Sequence, residues 1–169
     1  MLKHPTVDKL LEMKLTGMLS ALQQQIDMPE LQSLTFEDRL GLLIDAEFSE
    51  RETTQLSKRL KAAKLRQTAC LEDLDFKPGR GLDKLLIGQL AECDWIKKNM
   101  NIMIVGPTGV GKSYVSCALG QKACRSGHTV AYFRAPRFFQ ELTIARLGGT
   151  YERFLKRLQT FKVLVLDDF

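Results

Sequence analysis

The segment Gly106-Pro107-Thr108-Gly109-Val110-Gly111-Lys112-Ser113 constrains this chain more than any other. It fits G-x-x-x-x-G-K-S at every required position, the pattern of the phosphate-binding P-loop. Glycines let successive backbone N–H groups turn inward around a β-phosphate without Cβ clashes. The helix that follows aims its N-terminus at the same anion. Lys112 would place an ammonium against the β- and γ-phosphates, and the Ser113 hydroxyl would take one position on Mg²⁺. An accidental glycine-rich turn is the alternative. At ordinary glycine usage of about 7%, the whole pattern arises by chance in under ~1% of such chains. The expected ligands are ATP and Mg²⁺. Gly106 to Ser113 are the candidate binding residues, with Lys112 also a candidate catalytic residue.

A second element is Leu164-Val165-Leu166-Asp167-Asp168. An apolar strand ending in a carboxylate is the Walker B pattern, though acids often end strands. Asp167 would hold the Mg²⁺ shell, directly or through water, beside Ser113. Asp168 stands where many such ATPases have a glutamate that polarises the attacking water, and is the second candidate catalytic residue.

Around these motifs the chain reads strand, loop, helix, strand, two helices, strand. Asn101–Val105 is an apolar run, as in a buried parallel strand. A helix follows the loop to about Ser126 and Gly127 ends it. Thr129–Phe133 reads as a strand. Pro136 opens a helix through Leu147, Thr150 caps another to about Thr160, and Val163–Asp168 is a third strand. This alternation predicts an α/β fold with a parallel sheet and helices on its faces.

The first part is helical. Val7, Leu11, Leu15, Met18, Leu19, Leu22 and Ile26 recur at spacings of three and four, predicting one helix capped by Thr6 and stopped by Pro29. A second helix runs from Thr35 to about Lys64. Its end, Lys58–Arg66, holds five bases and no acid. That run is either a phosphate-backbone contact or a solvated helix C-terminus. Residues 71–83, with Lys77-Pro78-Gly79-Arg80-Gly81, read as a linker. A third helix is expected from about Leu82 to Lys98, with Trp95 as a core aromatic. The expected domains are a helical region, residues 1–70, and a P-loop core, residues 71–169.

Charge is unevenly placed. Residues 1–100 carry 15 Lys and Arg against 16 Asp and Glu, whereas residues 101–169 carry 10 against 4. A basic half suggests a polyanionic partner, nucleic acid first. Arg153, Lys156 and Arg157 cluster on one side of one helix and are the candidate surface for non-specific double-stranded DNA; a solvated face is the alternative. Cys70, Cys93, Cys117 and Cys124 lack disulfide or zinc spacing, and His4 and His128 sit in no ligand motif. No stretch approaches the ~18 apolar residues of a membrane span, and the N-terminus lacks the run of a signal peptide. The expectation is a cytoplasmic protein with no membrane partner.

The sequence resembles the IstB-like ATPases, ATP-binding helpers of bacterial insertion sequences related to the DnaC-type helicase loaders of the AAA+ group. The resemblance spans nearly the whole chain. It rests on Lys14-Leu15-Thr16-Gly17-Met18, on Glu47 to Arg51 with Arg59-Leu60, and on Leu74-Asp75-Phe76 and Asp94-Trp95-Ile96. It rests also on the P-loop, on Ala118-Leu119-Gly120 with Ala123-Cys124, and on Leu166-Asp167-Asp168. It implies an ATP-fuelled, DNA-binding assembly, homo-oligomeric in the family's manner, that assists a transposase in DNA transposition and recombination. It implies too that the helices between strands two and three face DNA. A replicative helicase loader, or a non-catalytic fragment that binds nucleotide, are the competing readings. The chain stops at Phe169, where AAA+ proteins continue into a fourth strand, a sensor residue and an arginine finger. The expectation is therefore a core truncated after the Walker B strand, with a gap between the P-loop strand and that strand. Nucleotide binding is expected over turnover, in an interrupted gene product.

Overall fold

The computed structural model describes residues 5–77 and 81–169. His4 and the expected linker residues Pro78, Gly79 and Arg80 lie outside them. Two compact units form, residues 1–57 and residues 58–169.

The first unit holds α1 (Pro5–Glu12), α2 (Thr16–Asp27), a 3₁₀ turn (Pro29–Ser33) and most of α3 (Phe36–Ala63). The single helix expected over residues 7–26 is broken between α1 and α2, where Lys14 adopts φ 58°. The apolar periodicity runs through both pieces, so it could not reveal the break. The cause is tertiary. The amides of Gly17 and Met18, which a continuous helix would bond to residues 13 and 14, donate instead to Glu47 Oε2 at 2.9 and 3.2 Å. Thr6 lies inside α1, which begins at Pro5, and is not its cap. Thr35 does cap α3: the Asp38 amide donates to its Oγ1 at 3.2 Å, and that hydroxyl donates to the Asp38 carboxylate at 2.7 Å. Lys64 at φ 51° ends the helix.

The second unit continues with a 3₁₀ turn (Leu71–Asp73), α4 (Lys84–Ala91), α5 (Asp94–Lys97) and α6 (Lys112–Arg125). Then come β1 (Val130–Arg134), α7 (Ala135–Leu147), α8 (Tyr151–Gln159) and β2 (Val163–Asp167). It is an α/β arrangement. β1 and β2 pair in parallel, with Val130 opposite Val163 and Arg134 opposite Asp167. α6 packs on both strands. Its buried residues include the small side chains of Cys117, Ala118, Gly120, Ala123 and Cys124 beside the larger Val115 and Leu119. A Cβ on Gly120 would meet Leu65 Cδ2 at 3.1 Å and Val130 Cγ1 at 3.5 Å, so the short side chains set how closely this helix approaches. Arg59 Nε donates to the Cys124 carbonyl at 2.9 Å and fastens the end of α6.

Two apolar clusters fill this unit. Ala69, Cys117 and Ala118 gather Leu65, Leu71, Tyr114 and Tyr132. Ile87, Val115 and Leu119 gather Leu74, Phe76, Ile102 and Ile104, among others. The helix expected over residues 82–98 is divided. Asp83 caps α4 through the Leu85 amide at 2.8 Å, and Cys93 at φ 60° separates it from α5. The Leu90 carbonyl, which takes the Cys93 amide at 3.1 Å, also accepts the Trp95 indole N–H at 3.0 Å. Trp95 is half-buried and lines a cavity, so it is not fully enclosed in the core.

The expected strand Asn101–Val105 takes no regular secondary structure and joins no ladder. Ile102 and Ile104 point into the second cluster, while Met103 and Val105 are 88% and 83% exposed. A strand needs a hydrogen-bonded neighbour, and here a cavity of about 230 Å³ lies between this segment and β2, lined by Ile102, Ile104, Leu164 and Leu166. Among the described residues no helix is long and apolar enough to cross a membrane.

Candidate nucleotide-binding site

The loop of residues 106–111 carries the apolar run into α6. Gly111 occupies the N-cap position at φ 98°, and Gly109 stands at φ 85°. Both conformations disfavour a side chain, and a Cβ on either would project into open space. The glycine positions therefore bare the backbone at the head of a fourteen-residue helix, where unpaired N–H groups and the helix dipole favour an anion. Lys112 folds back over this loop. Its Nζ donates to the carbonyls of Gly106 and Pro107, each at 2.8 Å.

β2 brings Asp167 to the same place. Four groups bear on its carboxylate, the Asp168 backbone amide among them. The Tyr132 hydroxyl, from the neighbouring strand, donates to Oδ2 at 2.5 Å. Arg66 Nη1 lies 3.7 Å from that same oxygen. The Ser113 hydroxyl, at the start of α6, lies close enough to the carboxylate to help lower its pKa. Burial pushes the Asp167 pKa up, but the Tyr132 hydrogen bond, the Ser113 hydroxyl, the Asp168 amide and the Arg66 charge outweigh it, and the net shift is downward. Tyr132 moves the other way: burial and the adjacent carboxylate hold its hydroxyl protonated well above the usual tyrosine range. At neutral pH the pair is thus a phenol donor and an ionised acceptor.

Asp168 sits at φ 57° in a left-handed conformation. Its Oδ2 accepts Arg134 Nε at 2.8 Å and lies 3.4 Å from Arg66 Nη1. The candidate general base is held between two guanidinium groups, one from the end of β1 and one from the segment after α3.

Among the described residues no three His, Cys, Asp or Glu side chains gather into a metal cage. One carboxylate and one hydroxyl beside a phosphate cradle instead suit Mg²⁺, which keeps several waters and leans on substrate phosphates. Ser113 and Asp167 are the residues that would hold it. The bare backbone, the lysine and this oxygen pair fit a Mg²⁺–nucleotide. Tyr132, Arg66 and Arg134 belong to the site, and the sequence reading missed them in that role. No motif marks Tyr132 or Arg134; they meet the acids through the β1–β2 register. Arg66 was legible only as one base in a run.

The candidate DNA surface lies on α8. Arg153, Lys156 and Arg157 are exposed, and Phe154, Leu155 and Leu158 are half-buried on the opposite side. The expected Thr150 cap makes no side-chain hydrogen bond to α8; its amide instead closes α7 on Ala145 O at 2.9 Å. Of the five bases in Lys58–Arg66, Arg59 is committed to α6 and Arg66 to the acids of β2.

The family described as IstB-like ATP binding protein matches residues 8–169. A Pseudomonas fluorescens protein named as an ATP-binding protein of insertion sequence IS1162 is 45% identical over 170 residues, covering 100% of this chain and 74% of that protein. A Sinorhizobium fredii insertion-sequence ATP-binding protein, y4pL, is 46% identical over 169 residues, covering 100% and 69%. The Pseudomonas aeruginosa protein named for insertion sequence IS21 is 32% identical over 135 residues, 80% of this chain and 51% of that one.

Proposed function

This chain belongs to the IstB-like ATP-binding protein family, and from that premise we propose that it binds Mg²⁺-ATP at residues 106–113 and acts as the DNA-associated helper of an insertion-sequence transposase in the cytoplasm. The observation that carries the nucleotide half is the conjunction of Gly109 and Gly111 at positive φ, heading α6, with the Lys112 ammonium folded over the same loop. In this reading the loop amides and the Lys112 ammonium hold the phosphates, and Ser113 and Asp167 would hold a Mg²⁺ that would supply neutralising charge. Lys112 exchanges its two carbonyl partners for phosphate oxygens, a stronger charge-assisted bond.

The basic face of α8 supports the DNA half, because phosphate neutralisation by clustered Arg and Lys needs no base-reading motif. The transposase as partner is proposed on the naming of the relatives for insertion sequences, and self-association on the family resemblance. Binding of a fluorescent ATP analogue to the chain and to Lys112→Ala tests the nucleotide half. Loss of the ammonium should weaken binding roughly 10–100-fold. Unchanged affinity in Lys112→Ala would refute it.

A further inference from the structure

We infer that Tyr132 and Arg66 are positioning residues for Asp167 and that together they set the affinity of the site for Mg²⁺. The inference rests on the Mg²⁺-ATP reading above and deepens it. A carboxylate at the end of a strand turns freely about its terminal bond. Here it does not. The Tyr132 hydroxyl and Arg66 Nη1 both fall on one oxygen, Oδ2, at 2.5 and 3.7 Å. These two contacts fix which way the carboxylate turns.

Both positioning groups are themselves anchored. Tyr132 lies in the middle of β1, and its ring packs against Ala69, Cys117 and Ala118. Arg66 is held a second time by Asp168, 3.4 Å away. Mg²⁺ demands near-ideal octahedral geometry and dehydrates reluctantly, so a misaimed carboxylate loses more with it than with a tolerant cation. Hydrogen-bond partners behind a ligating group carry about 10–100-fold in metal affinity.

The test separates orientation from mere packing. The affinity of a fluorescent ATP analogue is measured in EDTA and across a Mg²⁺ series for wild type, Tyr132→Phe and Arg66→Gln. Tyr132→Phe keeps the ring and removes only the donor. Its EDTA affinity should stay within about twofold of wild type, while the Mg²⁺ concentration giving half the metal-dependent gain should rise about tenfold or more. Arg66→Gln should move the same quantity in the same direction. An unchanged Mg²⁺ midpoint in Tyr132→Phe, or equal weakening with and without Mg²⁺, would overturn the inference. Should Tyr132→Phe fail to fold, Arg66→Gln decides by the same criterion. Failure of the wild type to bind nucleotide at all would instead strike the functional reading beneath it.

Discussion

Glu47 caps a helix that starts thirty-one residues before it: its Oε2 accepts the Gly17 amide at 2.9 Å. The same oxygen accepts the Met18 amide at 3.2 Å, and Arg51 Nε holds Oε1 at 2.6 Å. Two stretches that mark the family resemblance, Lys14–Met18 and Glu47–Arg51, are thus the two halves of one junction between α2 and α3. The Gln25 side-chain amide donates to Arg39 O at 2.9 Å, and Arg39 Nε returns a bond to Gln25 Oε1 at 3.1 Å.

The junction admits only a glycine at position 17. A Cβ there would stand 2.5 Å from Ala46 O and 2.6 Å from the Glu47 Cα, both backbone atoms that cannot swing aside. Gly17→Ala should cost about 1–3 kcal/mol, read by urea unfolding. Gly41→Ala, where a Cβ meets nothing within 4 Å on the helix α3, should stabilise by about 0.5–1 kcal/mol. Equal effects from the two changes would refute the close approach.

Acid should weaken the same junction. The Arg51 hydrogen bond and the two amide bonds outweigh burial and hold the Glu47 carboxyl below its ordinary 4.5. A depressed folded-state pKa contributes stability that is complete above the unfolded value and is lost as pH falls through the folded one. Stability should therefore decline below about pH 4.5, and the decline should be shallower in Glu47→Gln. Unfolding midpoints at pH 7 and pH 3 for both proteins check this. Parallel declines would count against it.

Arg59 was legible as one of a run of bases, but its contact is internal. Removing the guanidinium from Cys124 O should cost about 1–2 kcal/mol, the low end for a charged donor, because Gly127 N still bonds that carbonyl. The measurement is thermal unfolding of Arg59→Ala against Lys61→Ala, an exposed neighbour expected to be near neutral.

At the head of α6, Gly111→Ala forces a side chain into φ 98°. The strain should cost on the order of 1–3 kcal/mol of stability and should tilt the loop amides away from their shared centre. Loss of nucleotide analogue binding with the fold intact by circular dichroism is the expected result. Full retention of binding would show that the loop tolerates a different geometry.

DNA binding through α8 should carry the signature of counterion release. With about six phosphates engaged, affinity should drop by roughly 10³ between about 50 and 200 mM salt. Changing Arg153, Lys156 and Arg157 to Ala should weaken binding to all sequences alike and flatten the log–log salt slope by about 1 per contact. A slope unchanged by the triple substitution would place the contact elsewhere.

The phosphate cradle was readable from residues 106–113 because its chemistry is local: glycines, a lysine and a serine must be consecutive to wrap one anion. The strand of Val163–Asp167, the Thr35 cap and the Gly127 stop were likewise legible, since each depends on neighbours a few residues away. What the linear order could not disclose depends on partners distant in sequence. The α1–α2 break follows from Glu47 taking amides 29 and 30 residues away. The run Asn101–Val105 has strand composition, yet composition cannot supply the neighbour that a ladder requires. Above all, pairing Arg134 with Asp167 in register brings Tyr132, Arg134 and the far-off Arg66 around the two acids. By itself the sequence determined the glycines, the lysine and the serine of the candidate phosphate loop, because backbone geometry within one loop suffices to arrange them. Only the tertiary structure decided what aims the carboxylates, because hydrogen bonds acting over about 3 Å join residues separated by 34 to 102 positions.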